Sequence, residues 1–340
     1  MAKILVTGGV GYIGSHTVVE LQQCGYEVVI VDNLSNSNID VLKGIESITG
    51  VMPAFENVDC TDYVQLERVM KKYPELDAVI HFAASKAVGE SVEKPLMYYR
   101  NNILSLINLL ELMPIYKIKH LVFSSSCTVY GQPDVLPVTE DAPIKKAESP
   151  YGNTKQIAEE IIVDAIKATK SIQAVLLRYF NPIGAHPSGK IGEVPNGVPN
   201  NLMPYVTQTA AGVRDVLRIF GDDYATPDGT CIRDYIDVTD LAKAHVSALK
   251  YQLEEVKKKP VEVFNVGTGK GVSVMEIVST FERVNKVKVP RQVVGRRNGD
   301  IEQVWADATR ANAVLGWKTV MPLEETLRNA WRWEQKFRKK

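Results

Sequence analysis

The sequence predicts an α/β protein: a doubly wound parallel sheet over residues 1–180, interleaved with a smaller α/β lobe over residues 181–340. Three observations predict it. Short runs of Val, Ile and Leu alternate with helical patterns, the order that builds a parallel sheet covered on both faces. Gly8, Gly11 and Gly14 sit between the first run and the first helix, and the second run ends on Asp32.

The elements follow in order. KILVT is the first strand, apolar throughout because a parallel strand is buried on both sides. VTGGVGYIGSH leads into the helix YIGSHTVVELQQC, and EVVIVD is the second strand. Then come the helix DYVQLERVMKKY, the strand DAVIHF, the helix MYYRNNILSLINLLELM and the strand KHLVFSS. In SPYGNTKQ, Pro150 suits a first helical turn, which sets Tyr151 and Lys155 one turn apart on one face. AVLLRY closes this half. From about Asn181, NPIGAHPSGKIGEVPNGVPNN is dense in Gly, Pro and Asn, a loop by its turn chemistry. Helices return after it, and SVMEIVSTFERV opens with a capping box, Ser273 and Glu276.

Composition excludes some functions. Among 340 residues, 40 basic and 40 acidic side chains cancel, which leaves no global field for nucleic acid or an anionic membrane. Cys24, Cys60, Cys127 and Cys231 lie far apart, as in a reduced, cytoplasmic protein rather than a disulfide scaffold. The start is too short for a signal-peptide core, and no apolar run approaches a membrane span. The basic end KFRKK reads as a solvated helix terminus. The five histidines show no metal-ligand spacing, so no metal is expected.

The chemistry-bearing residues cluster at strand ends, where doubly wound sheets bind ligands. Gly8, Gly11 and Gly14 let a backbone turn tightly and approach a pyrophosphate at a helix N-terminus; the same triplet also fits an ordinary strand-to-helix turn. Asp32 lies 18 residues after Gly14, where a carboxylate accepts from an adenosine ribose and repels a 2′-phosphate. The following loop, NLSNSN, holds no Arg, and none occurs before Arg68, which favours NAD over NADP. Tyr151 and Lys155 read either as a packed and a solvated helix residue or as a catalytic pair. In the second reading Ser126, in SSSCTVYG, sets a hydroxyl beside Tyr151. Lys155 then lowers a phenol pKa of ~10 toward neutrality, enough to take a proton from an alcohol as hydride leaves its carbon.

These motifs resemble one family nearly end to end: the extended short-chain dehydrogenase/reductases, and among them the UDP-glucose 4-epimerases. The likeness is carried by VTGGVGYIGSHT, KAVGESVEKPLMYYRNN, SSSCTVYG, SPYGNTK, LLRYFNPIGAHPSG, PNNLMPY, RDYIDVTDLAKAH and RRNGD. It implies a Rossmann-type fold, bound NAD, UDP-hexose substrates, galactose metabolism and a homodimer. It also implies inversion at C4 of the sugar through a 4-keto intermediate, with no net redox. Tyr151 would be the base, Ser126 would polarise the sugar hydroxyl, and Lys155 would also hold the nicotinamide ribose. Gly8, Gly11, Tyr12, Ile13, Gly14, Asp32, Asn33, Leu34, Ser35, Asn36 and Ser37 would contact NAD, with Asp59 and Cys60 near the adenine. Phe82, Ala83, Ala84, Lys86, Asn101, Ser124, Tyr179 and Phe180 would complete its pocket. Lys86, Asn181, Asn201, Leu202 and Tyr235 would line the sugar and diphosphate. Arg218, Ile219 and Phe220 would meet the uracil, Arg233 and Arg297 the pyrophosphate, and Asp300 the uridine ribose. The bland alternative for the arginines is ion pairing, such as Arg233 with Asp234.

Four residues depart from the family pattern, Ala84, Ser85, Cys127 and Cys231, and bear on the wall of the nicotinamide pocket. A 4,6-dehydratase of the same fold would need adjacent carboxylates where Cys127 and Thr128 stand. A non-catalytic NAD-binding regulator would not need Ser126, Tyr151 and Lys155 intact. By resemblance Val304 lies where the sugar's 2-substituent points, and its small side chain admits N-acetylated sugars; alternatively it packs on Trp305 or a helix. The helices YYRNNILSLINLLEL and QIAEEIIVDAIKA offer a self-pairing surface, or else belong to the core.

Overall fold

The computed structural model describes residues 2–254, 259–297 and 300–339. Its first half runs β1 (Lys3–Thr7), α1 (Tyr12–Gln23), β2 (Glu27–Val31), α2 (Val41–Thr49), β3 (Ala54–Glu56), α3 (Tyr63–Lys72), β4 (Leu76–His81), α4 (Val88–Glu93), α5 (Pro95–Ile115), β5 (His120–Ser126), a 3-10 turn (Cys127–Tyr130), α6 (Pro150–Thr169) and β6 (Gln173–Tyr179). The second half runs β7 (Asn181–Ile183), α7 (Leu202–Ala210), β8 (Leu217–Phe220), β9 (Ile232–Arg233), β10 (Tyr235–Asp237), α8 (Val238–Leu253), β11 (Val261–Val266), β12 (Val272–Ser273), α9 (Val274–Asn285), β13 (Arg291–Val294), β14 (Gln303–Val304), α10 (Thr309–Leu315) and α11 (Leu323–Phe337).

Seven strands form one parallel sheet in the order β11-β6-β5-β4-β1-β2-β3. Successive residues of β1 face opposite layers. Ile4 and Val6 enter a core shared with α1 and α8, and Leu5 enters one shared with α3, α5 and α6. That double burial is why the runs are apolar without alternation. The chain starts at β1, winds outward through β2 and β3, then crosses back to β4. The crevice at the carboxyl ends of β1 and β4 is therefore the switch point where such sheets bind ligands.

Two elements of this layer escape a linear reading. β3 has three partly buried residues, AFE, too few to show a pattern. β11 and α8 come from the second half, yet β11 extends the sheet beside β6 and α8 packs on α1. The second lobe has its own core around Met203, Val206, Ile277, Phe281 and Leu327. Its strands pair locally: β8 with β13, β7 with β10, and β9 between β12 and β14. The capping box of α9 forms, with Ser273 Oγ accepting from Glu276 N at 3.0 Å and Glu276 Oε2 accepting from Ser273 N at 2.8 Å. The basic end is not simply solvated: Lys336 Nζ donates to the Ser188 carbonyl at 2.7 Å and Arg338 pairs with Glu334. Lys340 lies outside the described residues, among which no helix is long and apolar enough to cross a membrane.

Candidate active site

The glycine loop fits a dinucleotide because side chains are sterically barred from it. Gly8 has φ +71°, and a Cβ there would lie 2.8 Å from the Ala83 amide nitrogen. A Cβ on Gly14 would lie 2.2 Å from the Gly8 carbonyl oxygen, so α1 rests directly on the loop. Gly11 is the N-cap of α1, and no side chain caps the first turn, where Tyr12, Ile13 and Gly14 sit. An anion there meets backbone donors and the positive end of the helix. Asp32 directly follows β2 and is buried. Burial raises its pKa, opposed by hydrogen bonds from Leu34 N at 2.9 Å, Ser37 Oγ at 2.9 Å and Val10 N at 3.3 Å. Asn33 Nδ2 donates to Asp59 Oδ2 at 2.9 Å, and Ser35 and Asn36 are exposed. Cys60 is buried, its carbonyl held by Asn108 Nδ2 at 2.9 Å.

The catalytic candidates converge at the carboxyl end of β5. Ser149 caps α6 by accepting from Gly152 N at 3.2 Å, and Pro150 opens the helix, so Tyr151 projects from the first turn. Ser126 ends β5, and its Oγ accepts from Thr128 N at 3.2 Å. Lys155 is buried, with its Nζ donating to the Ser124 carbonyl at 2.7 Å, 5.9 Å from the Tyr151 ring centroid. The hydroxyls of Ser124 and Tyr179 share a hydrogen bond.

The expected acidification of Tyr151 by Lys155 is not what the chain alone produces. Burial, with the nearby Tyr179 phenol, holds the Tyr151 pKa well above its ordinary value; a hydrogen bond with Ser126 opposes this. Burial also lowers Lys155 to about 8, partly offset by the Glu159 carboxylate. The sequence showed the spacing of the pair but not its desolvation, nor that the ammonium would bind a backbone carbonyl.

Phe82, Ala83 and Ala84 lie just past β4 on the crevice, where Phe82 N bonds the Thr7 carbonyl at 3.0 Å. The Phe82 ring packs 4.6 Å from that of His245. Ser85, a departure from the family pattern, has a use: its Oγ accepts from Asn101 Nδ2 at 3.2 Å. Burial pushes the Cys127 thiol up to about 12, which suits a wall residue rather than a nucleophile. Cys231 is buried. Glu193 was not legible in the sequence. One of its oxygens accepts from Lys86 Nζ at 3.0 Å and from Asn201 Nδ2 at 2.8 Å, which joins two predicted site residues. Its only sequence signal was its place in the Gly/Pro-rich loop.

In the second lobe, β8 alternates. Arg218 and Phe220 are exposed while Ile219 is buried against the core, so Ile219 can offer only backbone to a base. Asn181 bonds the Asp234 carbonyl through its backbone N–H at 2.9 Å, and Leu202 begins α7. Arg297 grips Asp300 with two nitrogens, at 2.6 and 3.2 Å, and Arg233 approaches the same carboxylate at 3.8 Å. The alternative pairing of Arg233 with Asp234 is overturned. Asp234 is fully buried and already accepts from Thr268, Gly269 and Ala306. Within RRNGD, Asn298 and Gly299 lie outside the described residues. Tyr235 is buried, and Val304 is 1% exposed in a cluster with Val129, Tyr130 and Phe180, against which Cys127 packs. Val304 thus sits behind the wall rather than on an open face.

The family described as GDP-mannose 4,6 dehydratase matches residues 5–330. The UDP-glucose 4-epimerase of Dictyostelium discoideum is 50% identical over 332 residues, covering 98% of this chain and 95% of that protein. That of Bacillus subtilis (strain 168) is 50% identical over 331 residues, 97% and 96% respectively. The chain belongs to the UDP-glucose 4-epimerase family. Solved members of that family match throughout. The Stenotrophomonas maltophila epimerase, with bound NAD and formylated UDP-arabinopyranose, has a TM-score of 0.95 at 46% identity, covering 100% of this chain and 99% of its own. The Bifidobacterium longum epimerase, in complex with NAD+ and UDP, also has a TM-score of 0.95, at 44% identity and 98% coverage of each chain. The Campylobacter jejuni UDP-Glc/GlcNAc 4-epimerase has a TM-score of 0.84 at 35% identity, covering 99% of this chain and 100% of its own.

Proposed function

We propose that this chain interconverts UDP-glucose and UDP-galactose by removing and returning hydrogen at C4 of the sugar, with NAD as its resident cofactor. The convergence of Ser126, Tyr151 and Lys155 beside the glycine cradle carries the reading. A bound nicotinamide would supply one thing, acceptance and return of a hydride. The chain's own residues do the rest. Ser126 Oγ holds the 4-hydroxyl. Tyr151, which burial keeps protonated in the chain alone, would lose its proton only once the positive charge of an oxidised nicotinamide adds to that of Lys155. As the phenolate it takes the 4-hydroxyl proton while the C4–H bond breaks. Lys155 supplies positive charge to the same pocket. Once the 4-keto sugar has turned over, Tyr151 returns the proton to the new 4-oxygen, so no net redox occurs. Arg233 and Arg297, now sharing Asp300, would hold the diphosphate, to which guanidinium geometry is suited; Asp300 would then be released to the uridine ribose.

The same reading makes the protein a homodimer, and its four free cysteines support a cytoplasmic setting. The likeness to the Campylobacter jejuni enzyme extends the substrate class to N-acetylated UDP-hexoses. The test is to mix the protein with UDP-galactose alone and separate the products. UDP-glucose should appear without added oxidant. A 4-keto-6-deoxy product would instead establish a dehydratase, and NAD binding with no conversion would establish a regulator.

A further inference from the structure

Glu159 lies one helical turn beyond Lys155 on α6, so Tyr151, Lys155 and Glu159 form one stripe. Its carboxylate is buried, yet no substrate group reaches it by the roles above. Glu159 Oε1 accepts from Ser125 Oγ on β5, the residue between Ser124 and Ser126. Both its oxygens accept from Arg178 on β6, at 2.9 and 3.2 Å from Nε. Arg178 is the residue before Tyr179. Its NH1 donates to the Tyr130 hydroxyl in the 3-10 turn at 3.0 Å, and that hydroxyl donates to Asn265 Oδ1 on β11 at 2.6 Å. One buried carboxylate thus ties together the helix that carries the base, the strand that carries the serines, and the strand and turn beside them.

We propose that Glu159 is a positioning residue for the reaction: through Arg178 and Ser125 it keys α6 against β5 and β6, and it sets a buried carboxylate one helical turn from Lys155. The proposal deepens the epimerase reading and rests on it for the role of Lys155. The groups facing Lys155 are few. His81 on β4 is held neutral by burial, at about 3, with Nδ1 on Thr7 Oγ1 at 2.7 Å. Tyr151 is on the same helix, and Tyr179 on β6 is engaged with Ser124. Glu159 is the anion among them, and it is the group that opposes the burial of Lys155. Arg178 pairs with Glu159 from β6 and in turn faces Tyr130 and the Glu140 carbonyl.

The test uses Glu159→Gln, which keeps the shape and a partner for Ser125 but removes the charge. Leaving Arg178 buried and unpaired can unfold a protein, so the double variant Glu159→Gln/Arg178→Met is made alongside it. Two readouts are taken on NAD-loaded protein: turnover of UDP-galactose against pH, and the titration of Lys155 followed by NMR of 13C-labelled lysine. The Lys155 midpoint should move down by about one pH unit, a tenfold fall in ammonium on the alkaline side. The alkaline limb of turnover should move with it. An unmoved Lys155 midpoint in folded Glu159→Gln overturns the proposal. In the double variant, which removes one charge of each sign, the midpoint should fall by less, and a rise there overturns it too. So does a loss of turnover by the same factor at every pH, the mark of a mere brace. A wild type that shows the Lys155 titration but no epimerisation would sink the epimerase reading and leave the charge coupling standing.

Discussion

Single residues decide whether the pocket does chemistry. Tyr151→Phe removes the proton carrier and little volume. Turnover should fall by about 10²–10⁴-fold, the usual weight of general acid–base catalysis, while NAD stays bound; near-normal turnover with cofactor present would refute the assignment. Lys155 titrates near 8, and its useful form is the ammonium. Activity should therefore decline as pH rises through about 8, and a flat profile to pH 10 would show that its charge is not used. Val304→Tyr is the sharper test, because Val304 is buried behind Cys127 and Phe180 rather than open to a ligand. A phenol there has to grow toward the sugar or unseat Phe180. The expected result is selective loss of UDP-N-acetylgalactosamine turnover, with UDP-galactose turnover kept and the melting temperature lowered by overpacking. A joint loss of both activities would mean the wall collapsed and the gate idea is wrong. At this scale the sequence showed residue types and spacing but not partners. Asp234 and Asp300 are both near Arg233 along or across the chain, and only folding reveals that Asp234 is consumed by three backbone amides and a hydroxyl while Asp300 takes the arginines.

At the scale of elements, α1 and its loop bind as one piece. Gly14 touches the Gly8 carbonyl so closely that Gly14→Ala must lift the helix off the loop. Overpacking of that kind costs typically 1–3 kcal/mol. Drawn from the binding site, that weakens cofactor retention about ten- to hundredfold. Nucleotide released by acid from the wild type and weighed by mass spectrometry should be NAD rather than NADP, and the Ala variant should release far less. Finding mainly NADP would refute the Asp32 argument. An Ala variant with full NAD content would refute the close-contact one. Elements were legible where local chemistry was complete: the long apolar strands, the Ser149–Pro150 start of α6 and the α9 capping box each carry their own signal. β3 was not legible because three residues hold no period. Nor was the place of β11, because the partner that makes it an edge strand of the main sheet lies more than eighty residues earlier.

For the whole molecule, the sequence suggested two lobes that interleave, the second lending a strand back to the first sheet, as β11 does, but not that α8 would return to it as well. Long-range pairing leaves no local trace. The outer surface of that sheet layer raises the last prediction. On α5, Met97, Arg100, Leu104, Glu111 and Ile115 are exposed and recur at helical spacing on one face, beside α6. The stripe is complementary to itself when two copies run antiparallel. If Leu104 meets the partner's Ile107, a half-buried position of the same face, across a two-fold axis, Arg100 falls opposite the partner's Glu111 and Met97 within one residue, about 1.5 Å, of the partner's Ile115. One register thus satisfies both the apolar and the charged positions, as an isologous contact requires. Light scattering during size-exclusion chromatography should therefore give the mass of two chains. Leu104→Glu places a carboxylate near the axis in each copy and should release monomers with unchanged circular dichroism. Exposed ion pairs are worth only about 0–1 kcal/mol each and the two-fold axis repeats this one, so Glu111→Arg should weaken the dimer by no more than about thirtyfold. Adding Arg100→Glu should restore it, because the swap rebuilds the same pair in the same register. A monomeric wild type would refute the pairing outright. A dimer indifferent to Leu104→Glu, or one that the charge swap fails to rescue after Glu111→Arg weakens it, would place the contact on another face.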